Sequence, residues 1–303
     1  MSKPLFCNLI NLLILFLNFY LLYIISPQEV PQPGIPKFLG VLLTIGIVSI
    51  CIYYISRYLE TVYAKRYKKP FFVHFYLNYK KLPPNLVSFL ITNTFYNQLD
   101  KRRKKYFEHR IMRFLETTKF VGREGLIVDD DKRMQIAIMV IQLTFGMRNY
   151  LLEYVETIIL YPSSYYSILN KTENNGEFNP RSKALALSWE HFTIGNLHQE
   201  DGINLGIHEI THAIHYCSLK SNNISSEIFH DTFLELEKHL SSVELRNKII
   251  DSKILREYAF TDKFEFIAVL VEVFMESPEK LKKQFPDIYT YVSRMLNFKY
   301  FKV

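Results

Sequence analysis

Two long stretches without a charge open the chain: residues 5–25 and residues 38–55. Each approaches the roughly 20 apolar residues that a helix needs to cross a bilayer core. They predict a transmembrane hairpin over residues 1–56, joined by the short connector 26–37. Residues 57–83 then read as a basic, aromatic juxtamembrane linker that closes at Pro83-Pro84. From residue 84 to 303 the pattern is that of a folded domain. Apolar residues at helical spacing predict one or two amphipathic helices over 85–119 and a buried helix over 132–147. Two β-like runs follow, 154–161 and 184–189, with a polar loop between them. Helical periodicity returns over 202–219, 225–241, 262–276 and 278–298. Many helices around a few strands predict an α+β domain, mainly helical, with a small sheet.

Charge adds an orientation. The chain has 303 residues and a formal charge of +7. Arg57, Lys65, Arg66, Lys68 and Lys69 crowd the flank after the second span, whereas the connector holds one Glu and one Lys. The positive-inside rule therefore expects a two-span protein of the cell membrane, with both termini and the folded domain in the cytoplasm. The same basic segment suits anionic headgroups, so a lipid bilayer is an expected partner. The run Lys101 to Lys105 reads as a solvated helix face near such a surface. No nucleic-acid recognition motif accompanies it, and no nucleic-acid partner is expected. The three cysteines, Cys7, Cys51 and Cys217, make no disulfide framework.

The chemistry concentrates in His208-Glu209-Ile210-Thr211-His212. Residues four apart share a helix face, so both imidazoles reach one metal ion. Glu209, beside the first ligand, is placed to act as general base on a water. Ile203, Ile207, Ile210, Ile214 and Cys217 recur at helical spacing as a core stripe beside the histidine face, and Asp201-Gly202 reads as the helix start. A catalytic zinc takes a third protein ligand. His215 is unsuited on an unbroken helix, because it lies about 10.5 Å along the axis from His208. It reads as a surface histidine or a partner of a ligand. Glu265 and Glu272, seven apart on one later helix, are both candidates. Asp262-x-x-Glu265 also reads as a capping box, and Glu272 as a buried carboxylate supporting a ligand histidine. The residues alone leave the two open.

Several stretches in order resemble the Mlc titration factor A family of zinc peptidases. They are residues 106–126, residues 157–166, Leu187-Ser188-Trp189-Glu190, Asp201-Gly202-x-Asn204 before the histidine helix, and Tyr258-Ala259 with Thr261-Asp262 and Glu265-Phe266-x-Ala268. Glu272-x-Phe274, Pro278 and Pro286-x-x-Tyr289 complete the set, so the resemblance covers about residues 84–303. It implies a zincin-like, gluzincin-type fold with one zinc ion per chain, held by His208, His212 and Glu265, with Glu209 as general base. It implies Tyr258 as a hydroxyl for the oxyanion, and residues 184–189 as an edge strand able to bind a peptide. The family usually has Asp where this chain has His215, and a membrane hairpin departs from it. The expected activity is that of a membrane-anchored zinc metallopeptidase acting on a peptide or protein substrate. The alternative is a zinc-containing module that sequesters a regulatory protein, such as a transcription regulator, with weak or no catalysis.

Overall fold

The computed structural model describes residues 37–167, 171–197 and 202–299. The chain divides into two compact units, Met1–Ser56 and Arg57–Val303. The predicted first span, residues 5–25, lies outside the described residues, so the described structure holds one candidate span and no hairpin.

That span belongs to helix α1 (Lys37–Tyr67), whose last turns fall in the second unit. Over Gly40–Tyr67 it is the one described helix long and apolar enough to cross a bilayer. Two hydroxyls within the apolar part are satisfied by the helix's own backbone: Thr44 Oγ1 donates to the Gly40 carbonyl at 2.9 Å, and Ser49 Oγ to the Ile45 carbonyl at 2.7 Å. This is how polar side chains are accommodated where no water is available.

Residues 57–83, expected as a linker, are helical as far as Tyr67. Lys68 then ends the helix in the left-handed conformation (φ 51°), and its amino group pairs with Glu235 at 2.8 Å. The chain runs on, without regular secondary structure, against helix α2 (Lys101–Thr117). Arg110 on α2 is fully buried and fastens three segments at once. Its guanidinium donates to Tyr76 Oη at 2.6 Å, to the Val73 carbonyl at 3.2 Å, and to the Thr144 and Phe145 carbonyls at 3.0 and 3.1 Å. The last two belong to the C-terminal end of helix α3 (Asp130–Thr144), where backbone acceptors lack helical partners. Of the one or two amphipathic helices expected over 85–119, the later part is α2, and the earlier part forms short helical turns: Pro84–Val87, Ser88–Leu90 and Thr94–Gln98.

Strands β1 (Lys119–Gly122) and β2 (Thr157–Tyr161) are followed by a ribbon of β3 (Tyr165–Ser167) and β4 (Thr172–Asn174). Then come β5 (Gly176–Asn179) and β6 (Ala184–Ser188). The main sheet runs β1-β2-β6-β5. The first three strands are parallel, and β5 pairs antiparallel to β6 with Gly176 opposite Leu187. The expectation of an edge strand at 184–189 is therefore corrected: β6 is internal, and β5 is the edge. Its sequence, Gly-Glu-Phe-Asn, is short and resembles a turn, which is why the region reads as loop.

The remaining helices are α4 (Trp189–Leu197), α5 (Leu205–Lys220), α6 (Ile224–His239), α7 (Val243–Ser252), α8 (Lys263–Glu276), α9 (Pro278–Gln284) and α10 (Pro286–Met295). The single helix expected over 278–298 breaks before Pro286, because proline lacks the N–H that would continue the ladder. Helix α8 buries Ile267 through Val271 and Val273 with little exposure on any side, the mark of a helix inside the core. It packs beside α5, and this pair carries the site.

Candidate metal centre

Helix α5 starts one turn later than expected, at Leu205, because Asn204 is its cap. The Asn204 side-chain oxygen accepts from the Ile207 N–H at 3.1 Å. Ile207, Ile210, Ile214 and Cys217 are buried as their spacing predicts, whereas Ile203 lies before the helix and is exposed. The buried stripe fixes the rotation of α5 and turns His208 and His212 toward α8.

Asp262 caps α8, its carboxylate accepting from the N–H groups of Phe264 and Glu265 at 2.6 and 3.0 Å. Glu265 does not turn back to complete a capping box. Its carboxylate faces the histidines, Oε2 at 3.0 Å from His208 Nε2 and Oε1 at 3.4 Å from His212 Nε2. The two Nε2 atoms are 3.1 Å apart. One donor atom from each of His208, His212 and Glu265 falls within a common 4.8 Å.

Glu272 lies two turns further along α8, fully buried, and stands behind His208. Its Oε1 is 2.7 Å from His208 Nδ1. A carboxylate there holds the proton on Nδ1 and leaves the Nε2 lone pair facing Glu265 and His212. Glu272 is itself fixed by the backbone N–H of Asn204 at 2.7 Å and by Arg256. Arg256 was not singled out by sequence reading. Its only local signal is a position two residues before Tyr258.

The donor set suits a divalent cation. Three ligand atoms converge from two rigid helices. Glu265 Oε2 is buried and makes no well-formed hydrogen bond, although His208 Nε2 is close. Such an orphaned carboxylate oxygen beside two imidazole lone pairs is matched by a positive ion. The charges agree. Burial works against ionising Glu265, yet His208 and His212 hold its carboxyl well below the ordinary range. Burial likewise opposes protonation of His208, but Glu265 and Glu272 outweigh it and push its pKa up to about 9.

Glu209 is buried beside this cluster, and burial raises its pKa against the opposing pull of His212 and His208. It faces the sheet edge. Gly176 of β5 is so close that an added Cβ would stand 2.7 Å from Glu209 Cγ. The Asn175 carbonyl accepts from Ser188 N, so alternation along β5 turns the backbone groups of Gly176 and Phe178 outward, to the free edge. The Phe178 N–H stands toward the Glu209 carboxylate and favours its charged form.

Tyr258 sits in a 3-10 turn, Glu257–Phe260. Its ring is half-exposed, with its centroid 6.1 Å from that of His208. Partial burial, and then Glu265, push its phenol up to about 12. His215 departs from expectation. It is neither on the surface nor bonded to a ligand, but fully buried among Phe233, Phe264 and Phe229 at ring distances of 4.5, 4.8 and 5.9 Å. Both its nitrogens lack hydrogen-bond partners.

The family model of the glucose-regulated metallo-peptidases M90 matches residues 66–297. The match begins within the basic segment that precedes residue 84. An uncharacterized protein of Synechocystis sp. is 24% identical over 229 residues, covering 69% of this chain and 82% of its own length.

Proposed function

The chain belongs to the glucose-regulated metallopeptidase family M90, and from that premise we propose that it is a zinc-dependent peptidase anchored in the cell membrane with its catalytic unit in the cytoplasm. The observation that carries the enzymatic reading is the triad of His208, His212 and Glu265 with Glu209 directly beside it. A structural metal site needs no adjacent carboxylate base. The apolar helix α1, followed by its basic flank, supports the anchoring and the orientation.

In this reading His208, His212 and Glu265 would hold the ion, and zinc would supply Lewis acidity to the reaction. Glu209 takes the proton of the attacking water on its carboxylate and passes it to the leaving amine. Its raised pKa suits that exchange, since a base titrating nearer neutrality also gives the proton back. Tyr258 donates its O–H to the oxyanion. An extended substrate adds to the outward backbone groups of Gly176 and to the Phe178 carbonyl on β5. Glu272 keeps His208 in the ligating tautomer.

The test is metal content and cleavage of a mixed peptide library by the full-length chain in detergent. Wild type is expected to carry one zinc ion per chain and to cleave. Glu209→Gln keeps the metal and loses turnover, and Glu265→Ala loses the metal. Zinc without cleavage in the wild type would shift the function to a module that binds a regulatory protein. A folded chain that takes up no zinc would overturn both readings.

A further inference from the structure

Two features lie outside the metal centre: the segment after helix α1, and the basic run that opens helix α2. The structure brings them together. Tyr106 on α2 stacks with His74 at 4.6 Å and with Tyr79 at 6.0 Å, and the Arg102 guanidinium lies 5.6 Å from the centre of the same ring.

The segment has two faces. His74 and Tyr76 turn inward, onto Tyr106 and Arg110. Phe75 and Leu77 turn outward, 69% and 85% exposed, and Tyr79, whose ring lies on Tyr106, stays 49% exposed at the edge. Phe71, four residues beyond the end of α1, is 71% exposed. A segment with apolar groups packed inward and others left in water has part of its burial undone. The outward face is not a loose flap. Arg110 holds the Val73 carbonyl, and the Lys80 N–H donates to His109 Nδ1 at 2.8 Å. The local sequence is basic, although Lys68 pairs with Glu235 and Lys80 with Glu116. From residue 61 to residue 99 the chain has no Asp or Glu, but it has Lys65, Arg66, Lys68, Lys69, Lys80 and Lys81.

We propose that the ridge of Phe71, Phe75, Leu77 and Tyr79, with the basic start of α2 beside it, seats the catalytic unit on an anionic bilayer surface. Aromatic side chains favour the headgroup level, and clustered Lys and Arg are drawn to anionic lipid. The ridge follows directly on the helix that the anchoring reading places in the membrane, and the inference rests on that reading. Seated in this way, the catalytic unit is held at the surface rather than swinging from its anchor, and its accessible substrates are those presented near the bilayer.

The test uses the full-length chain reconstituted in vesicles, with its single native tryptophan, Trp189, as background. Phe75→Trp and Leu77→Trp report contact with brominated lipid, and Val243→Trp, at another exposed position, is the reference. The ridge tryptophans are expected to be quenched in vesicles rich in phosphatidylglycerol and less so when phosphatidylcholine replaces it, while the reference is unaffected. Equal quenching at all three positions, or none, overturns the proposal. So does a blue-shifted ridge tryptophan that brominated lipid does not quench, which marks a protein partner or second copy. Extraction at alkaline pH reads the anchoring separately. A chain that resists extraction but shows no ridge quenching keeps its anchor and loses the seat. A chain released by alkali loses the anchor, and quenching in added vesicles then decides the seat alone.

Discussion

Arg256 grips Glu272 with both guanidinium nitrogens, Nη1 to Oε2 at 2.9 Å and Nη2 to Oε1 at 2.8 Å. The same Nη1 donates to the Gly202 carbonyl at 2.9 Å. The pair ties the turn that carries Tyr258 to the carboxylate behind His208, so Arg256 is a positioning residue. Arg256→Met is expected to weaken zinc binding roughly 10–100-fold, the usual cost of losing support behind a ligand histidine. Arg256→Lys recovers part of this, because an ammonium lacks the two-pronged fit. Competition against a chelator of known affinity measures both. Unchanged affinity in the Met variant would show that Glu272 holds His208 unaided.

Tyr258→Phe removes a hydroxyl and little packing, since the ring is half-exposed. Loss of one oxyanion donor costs about 10²–10³ in kcat. The expected variant keeps its zinc and its KM and loses turnover on that scale. A fall in metal content instead would make Tyr258 a structural residue.

Gly176→Ala probes the sheet edge. The new methyl would meet Glu209 Cγ at 2.7 Å, Glu209 Oε1 at 2.8 Å and Leu205 Cδ1 at 2.8 Å. The Glu209 side chain gives way more readily than the backbone and moves off its position. The expected result is zinc retained and kcat lowered at least about tenfold, since small misplacements of a catalytic group are costly. Wild-type turnover in the Ala variant would show that Glu209 has room to spare.

Much of this arrangement is legible in the sequence, and the parts that are not have physical reasons. The i, i+4 spacing of His208 and His212 puts them on one face, and the seven-residue spacing of Glu265 and Glu272 does the same on α8. Which carboxylate faces the histidines depends on the axial offset between α5 and α8, a tertiary quantity that spacing does not contain. Arg256 was invisible for a similar reason: its partners lie 16 and 54 residues away. The edge strand escapes sequence reading because β5 is four residues, Gly-Glu-Phe-Asn, that gain their conformation from β6 rather than from their own propensity. The distance of His215 from His208 predicts a surface histidine or a partner of a ligand, whereas α6 covers that side of α5 with Phe229 and Phe233.

His215 also makes stability depend on pH. Burial, and then the charges of His212, Lys263 and His230, pull its pKa down from 6.5 to about 4, with Asp262 opposing. The unfolded chain therefore takes up a proton that the folded chain refuses. Stability is complete above about pH 6.5 and falls as the pH drops toward 4, by up to roughly 3 kcal/mol for this residue. His215→Leu is expected to lose this share of the acid sensitivity. It also gains roughly 1–3 kcal/mol at pH 7 by removing two unpaired buried nitrogens. His74, pulled down to about 3 chiefly by burial, leaves a remaining slope of the same sign. Denaturant midpoints at pH 7 and pH 5 measure the difference, and identical pH dependence in both proteins would contradict the assignment.

Asn204 has one further consequence. Its side chain begins helix α5, its N–H holds Glu272, and its amide donates to Glu276 at 3.0 Å, one turn further along α8. The first turn of α5 and the support of His208 are thus a single fastening. Letting go of a bound ion and fraying that turn become one event, so the residence time of the metal is governed by how firmly a helix begins, and not by its ligands alone.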